Sequence, residues 1–434
     1  MTARPSGTGM FRSLRVRNYR LFATGSLVSN TGTWMQRVAQ DWLVLELTDN
    51  SGIALGIVTA LQFGPILLFG MYGGMLADRY DKRTLLFATQ AAMGLLALVL
   101  GLLDIGNVVQ LWHVYALATA LGVATALDTP IRQAFVSELV GPDNLVNAVG
   151  LNSTTFNAAR LVGPAAAGLI IAATSTGPVF LINAASFAFT LVALARIRPA
   201  ELTRSARLAR GKGQLRDALR YVRGRPDLLL PMLLVFIVGT FGLNFQITTA
   251  LMAKGVFGLG AAAYGLLGSC IAVGSLTGAL LSTRRNGRPR LRMLVAAAMA
   301  FGALEITAGL MPTYTSFAIL LVPTGAAALI FIIAANSTVQ LGTDASMRGR
   351  VMALYLLFFM GGTPIGAPLV GWLAENFGAR SSIVVGGVVC LLSGAVFGLV
   401  LARQTGLRLR AHVSPHPHLS LETPAPSREP VHAG

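Results

Sequence analysis

Twelve stretches of this chain are apolar over roughly the 20 residues that a helix needs to cross a bilayer. They fall at roughly 20–45, 53–77, 84–103, 110–133, 145–172 and 178–195, and again at 228–251, 261–282, 292–311, 315–340, 351–373 and 381–402. In hydrocarbon every backbone N–H and C=O must bond within its own segment, so stretches of this kind become helices. Charged residues make up 12% of the 434 positions and apolar ones 54%, about half the charge of an average soluble domain. The expected fold is an all-α membrane protein of twelve transmembrane helices in two pseudo-symmetric six-helix bundles. Its parts are a tail 1–19, a bundle 20–195, a basic linker 196–227, a second bundle 228–402 and a disordered tail 403–434.

The formal charge of +17 would suit a nucleic acid, an anionic membrane surface or an orientation signal. Its distribution decides. Thirty of the 34 Lys and Arg fall in the termini, the even-numbered connections and the middle segment. Only Lys254 and Arg380 fall on the other side, and Arg37 and Arg160 lie within spans. Positive residues stay on the cytoplasmic side, so both termini are expected there, in a plasma (inner) membrane, and binding of nucleic acid is not required. Cys270 and Cys390 both sit in apolar runs, which leaves no disulfide framework. The N-terminal MTARPSGTGMFRSLRVRNYR is basic, but the apolar stretch after it is too long for a signal peptide.

The two sets of six resemble copies. A slide of 204 positions puts Gly64, Gly70 and Gly74 on Gly268, Gly274 and Gly278, and a slide of 203 puts Gly163 and Gly168 on Gly366 and Gly371. Parallel six-helix halves with a binding site between them are a transporter architecture. An enzyme should show paired His or a Ser/His/Asp set at a membrane face, and the sequence has none. The chain is therefore expected not to be an enzyme, with no cofactor and no metal. A receptor should carry a sizeable soluble domain, and the longest extramembrane segments run to roughly 30 residues.

A charge inside a span costs about 2.5–3.5 kcal/mol, so each one demands a reason. Arg37 and Asp41 lie four residues apart, on one helix face, with Gln36 and Gln40 beside them. Two readings stand: Asp41 carries a coupling proton and Arg37 tunes it, or the two form a permanent ion pair near the helix end. Asp128 and Arg132 repeat the spacing in span 4. Arg160 has no partner in its own span and could bind an anionic substrate group or neutralise Asp41 or Asp128. Trp34, Trp42, Phe63 and Tyr355 are candidate walls for a hydrophobic substrate, although most aromatics in such proteins pack or sit in interfacial belts. Glu305 is expected to make a peripheral contact or pair with lipid headgroups. His412, His416, His418 and His432 lie in a Pro-rich tail without the spaced partners of a metal site.

After span 2 the chain reads Gly74-Met75-Leu76-Ala77-Asp78-Arg79-Tyr80-Asp81-Lys82-Arg83. This resembles the loop 2–3 signature of the major facilitator superfamily, G-x-L-A-D-R-x-G-R-R, with Asp81 where the family has Gly. The resemblance implies a gating latch in which Asp78 faces the N-terminus of span 11 and Arg79 or Arg83 pairs with nearby carboxylates; Lys82 reads as an orientation charge. Span 5 carries Gly150, Ala159, Gly163, Pro164 and Gly168, similar to the antiporter signature G-x8-G-x3-G-P-x2-G-G with Ala at two glycine positions. The other reading of that run is a plain packing face. The strings GTWMQRVAQDWLVLELT, DTPIRQAFVSELV and RGRVMALY place the chain near siderophore exporters and macrolide efflux proteins. The resemblance implies a monomeric exporter of a small amphipathic molecule, coupled to protons, with Asp128 and Arg132 gating against the loop. Uptake or facilitated diffusion of a metabolite is the alternative.

Overall fold

The structure, a computed structural model, describes residues 9, 11–203, 214–283, 291–404, 408–412 and 418–422. Its helices are α1 (Arg17–Leu47), α2 (Gly52–Arg79), α3 (Lys82–Ile105), α4 (Leu111–Ala173), α5 (Gly177–Ala195), α6 (Gln214–Arg223), α7 (Pro226–Phe241), α8 (Phe245–Leu251), α9 (Ala261–Thr283), α10 (Leu291–Gly309), α11 (Tyr314–Gly342), α12 (Arg348–Phe377) and α13 (Ala379–Gln404). The C-terminal tail, expected to be disordered, holds two strands, β1 (Arg408–His412) and β2 (His418–Glu422), paired antiparallel. His416 and His432 lie outside the described residues.

Among the described residues, ten helical stretches are long and apolar enough to cross a membrane. One of them, α4, runs for 63 residues and turns at Gly141, whose φ of 67° lies in the left-handed region that glycine tolerates. Pro142 follows, as suits the first turn of a new helix, so α4 supplies two crossings, 111–140 and 142–173. Helix α1 is 31 residues long, about 46 Å, and falls outside the ten because its many polar residues, among them Asn30, Gln36, Arg37, Gln40 and Asp41, lower its hydropathy. Twelve crossings result. Their even number brings both ends of the bundle to one face, here termed the terminal face.

Side chains cap the turns between crossings. Ser51 accepts from the Ala54 amide to start α2, and Asp81 accepts from the Thr84 amide at 2.8 Å to start α3. The residue that departs from the family loop is therefore an N-cap. The seventh crossing differs from expectation: an apolar stretch read as continuous is broken at 242–244 between α7 and α8. Asn244 Nδ2 donates to the Thr240 carbonyl at 2.7 Å, taking the acceptor that its own backbone N–H would use in an unbroken helix.

In the N-terminal half α1 packs on α4 and α5, α2 on α4, and α3 on α5; in the C-terminal half α9 packs on α11, α10 on α13, and α7 on α12. The halves meet where α2 crosses α12 and α4 crosses α9. At the face opposite the termini these crossings are tight. A Cβ on Gly56 would stand 2.8 Å from Pro368 Cα, and one on Gly168 would stand 3.0 Å from Ala262 Cα, so only a missing side chain lets these backbones touch. Toward the terminal face the same helices part: at Gly64, Gly70, Gly150 and Gly349 a Cβ would meet nothing within 4 Å. The core follows this division. One apolar cluster, including Leu43, Leu55, Leu251 and Val370, joins both halves at the opposite face. Toward the terminal face it gives way to two separate cores, one around Phe22 and Phe135 and the other around Phe331 and Tyr355.

Candidate functional site

Between the halves lies a small cavity of about 60 Å³, lined by Trp34 and Val38 of α1, Arg160 and Pro164 of α4, Phe245, Gln246 and Thr249 of α8, and Tyr264, Gly268 and Ile271 of α9. Each half contributes, so the site exists only while the halves are apposed. Gly163 brings α4 onto α1, where a Cβ would stand 2.6 Å from that of Trp34, and a Cβ on Gly268 would lie 3.1 Å from Pro164 Cβ. Ser269 Oγ donates to the Leu161 carbonyl at 2.7 Å. The Gly-Pro run of span 5 thus packs against both α1 and the opposite half, while Gly150, the first residue of the motif, stands clear at the open end.

Asp41 is buried, 5% exposed, and its Oδ2 accepts from the Tyr264 hydroxyl at 2.6 Å. That bond joins the two halves. Tyr264 also stacks on Trp42, with centroids 6.3 Å apart and planes 20° apart, and Lys254 stands 5.1 Å from the Trp42 ring. Sequence reasoning missed Tyr264, because one tyrosine in an Ala- and Gly-rich helix carries no periodic signal. Arg37 forms no direct ion pair with Asp41 within 4.0 Å, although the two charges lie close enough to act on each other. Its guanidinium lies 4.5 Å from the Trp34 centroid and 5.4 Å from that of Phe63, and its buried Nε has no hydrogen-bond partner. Arg160 stands 5.7 Å from the same Trp34 ring, and Phe156 meets that ring edge-on at 5.7 Å.

Three cavity candidates lie elsewhere. Gln36 accepts from Asn183 of α5 inside the N-terminal half, and Gln40, one turn on, shares that face and is buried. Tyr355 is 2% exposed within the core of the C-terminal half, stacked on Phe359. Polar or aromatic character marked these residues as candidates, but helix rotation turned them into their own bundle.

The gating candidates also take different partners from those expected. Asp128 Oδ2 pairs with Arg132 at 2.9 Å, and Oδ1 accepts from Thr89 and Gln90 of α3 at 2.7 and 2.8 Å. Arg132 reaches Ser26 of α1 at 3.3 Å. Asp128 therefore ties α3, α4 and α1 within one half and does not pair with the loop. The loop's carboxylate partner is Glu138, 2.6 Å from Lys82 Nζ, so Lys82 does more than orient the chain. Arg83 donates to the carbonyls of Leu194 and Ala195, both at 2.8 Å, where a cation complements the C-terminal end of α5; it pairs with no carboxylate among the described residues. Asp78 and Arg79 are exposed at the open end. Glu305 is 3% exposed beside Gly242 and Gly386, a contact inside the C-terminal half.

At the opposite face Glu375 of α12 accepts from Ser51 Oγ at 2.7 Å and from the Ile53 amide at 3.0 Å. A carboxylate from one half thus caps the positive N-terminus of α2 in the other. The two basic residues on that face are both engaged, Lys254 over Trp42 and Arg380 on the Gly309 and Met311 carbonyls.

Residues 8–429 match the family model described as transmembrane secretion effector. The chain belongs to that family of major facilitator superfamily transporters. It is similar to the enterobactin exporter EntS of Salmonella choleraesuis, 26% identical over 379 residues that cover 85% of this chain and 89% of the relative. It is also similar to the staphyloferrin A transporter of Staphylococcus aureus, 32% identical over 166 residues, 38% of this chain and 42% of that protein. The match thus spans less than half of the staphylococcal relative, and it spans 62% of a Bacillus subtilis MFS-type transporter, YfiS. Among solved structures, a bacterial homologue of the lysosomal transporter Spinster superposes with a TM-score of 0.70 at 16% identity, over 88% of this chain and 96% of that one. The nucleoside transporter NupG superposes with 0.67 at 13%, over 88% and 99%. These two share the fold. The chain is thus a multi-pass membrane protein of the major facilitator fold.

Proposed function

We propose that this transporter exports an amphipathic small molecule from the cytoplasm by alternating access, in exchange for protons. The observation that carries the reading is the Asp41–Tyr264 hydrogen bond, a link between halves made by the carboxylate nearest the cavity. The terminal face holds 30 of the 34 basic residues in the expected topology, which supports a cytoplasmic location for it under the positive-inside rule. The open end then faces the cytoplasm, and the sealed end, with Glu375 on α2, faces outward. Binding of a proton at Asp41 would weaken its acceptor role toward Tyr264 and so favour separation of the outer ends. Export is supported by the antiporter-like run in α4 and by the enterobactin exporter among the relatives.

The test uses everted vesicles energised to be acidic inside, with enterobactin and a macrolide as probes. Export by proton antiport predicts accumulation that a protonophore abolishes. Asp41→Asn should retain probe binding and lose gradient-driven accumulation, because an amide cannot release a proton. Accumulation only in right-side-out vesicles would replace export with uptake, and normal accumulation by a well-folded Asp41→Asn protein would move the coupling role away from Asp41.

A further inference from the structure

We infer that the cavity selects an organic anion carrying an aromatic or other flat apolar group, an assignment that rests on the transporter reading. One cation, Arg160, lines it, and a second, Arg37, shares the Trp34 ring of that lining. Arg37 and Arg160 stand 4.5 and 5.7 Å from one Trp34 ring, which puts the two cations within about 10 Å of each other, a distance over which charges shielded from bulk salt still interact. Neither reaches a carboxylate within 4.0 Å among the described residues. The acid beside them, Asp41, already accepts from Tyr264. Arg37 keeps a buried Nε with no acceptor, so an N–H donor stands ready without a partner in the protein.

Asp41 is an acid whose charge acts on Arg37, but one carboxylate cannot balance two guanidinium groups, and the surplus charge in the membrane interior is costly unless something compensates it. Contact with Trp34 and Phe63 offsets part of that cost, and an anionic ligand would offset more through charge-assisted hydrogen bonds from the planar forks. The rings of Trp34, Phe245 and Tyr264 then offer a flat apolar surface for the rest of the molecule. An amphipathic cation of the same size would meet net repulsion, because the two arginines outnumber the one carboxylate beside them, Asp41. The site therefore discriminates between siderophore-like acids and amine-bearing drugs, on the side of the acids.

The experiment compares two probes of one shape and opposite charge, 1-naphthoate and 1-naphthylmethylammonium. Each is titrated calorimetrically into the full-length protein in phosphatidylcholine nanodiscs. Naphthoate is expected to bind at least about ten-fold more tightly, with the preference lost in Arg160→Gln and kept in Arg160→Lys; matched melting curves establish that the variants are folded. Equal or tighter binding of the ammonium, absence of naphthoate binding, or an unchanged preference in Arg160→Gln overturns the inference. Nanodiscs containing phosphatidylglycerol should give the same naphthoate affinity. Loss of binding there would assign the arginines to a lipid headgroup and overturn the inference as well. A preference for ammonium in a protein that still accumulates a probe under a pH gradient would remove the anion assignment alone, whereas loss of all gradient-driven transport would remove the reading beneath it.

Discussion

Replacing Tyr264 by Phe removes one oxygen from the bond that joins the halves. The ring and its stack on Trp42 remain, so the change isolates the hydroxyl that Asp41 accepts at 2.6 Å. With the outer ends closed, both groups are buried, and Asp41 would lose the donor that Tyr264 supplies. With the outer ends apart, water reaches both groups and little is lost. The perturbation therefore acts on one state. A hydrogen bond to a charged acceptor is worth about 1.5–3 kcal/mol net, which shifts the equilibrium between closed and open outer ends about 10- to 150-fold toward open. The shift can be read from distances between spin labels at Ser175→Cys and Asn376→Cys, exposed positions of the two halves on the face opposite the termini, with Cys270 and Cys390 replaced. A longer-distance population should appear or grow in Tyr264→Phe. An unchanged distance distribution in a folded protein would refute the idea that this bond holds the outer ends together.

Gly56→Leu should have a similar effect by steric means, since even a Cβ there would meet Pro368 Cα at 2.8 Å; the same labels should report a widened outer end, and turnover should fall. Asp128→Asn should lower thermal stability by about 3 kcal/mol or more, because it leaves Arg132 without its carboxylate inside the bundle; a melting point within a degree of the parent would show the pair to be dispensable. Reporter fusions after residue 50 and after residue 402 should report opposite sides of the membrane, with the second cytoplasmic; the same side for both would overturn the topology.

The number of crossings, the division into halves and the charge asymmetry were all legible in the chain, because each depends on local composition. About 20 apolar residues must form a helix in hydrocarbon whatever their neighbours, and Lys and Arg sort by side. The glycines and Pro164 of span 5 were legible as a packing run for the same reason. Spacing also put Arg37 and Asp41 on one face, but it could not say which side chain across the cavity would claim Asp41. That was decided by the crossing of α1 with α9, which brings Tyr264 to Asp41 from 223 residues away. The same holds for the charges of the loop. Asp128 turned out to bond within its own half, and Glu138 took Lys82, because several acids lie within reach of one short loop in sequence and packing decides which of them meets Lys82. The places of Gln36 and Tyr355 inside their own bundles were not legible, because a helix with apolar residues on every side shows no periodic stripe, so its rotation about its own axis is set only by what packs against it. Composition determines that these segments cross a membrane; which residues then face the cavity is a property of the assembled bundle.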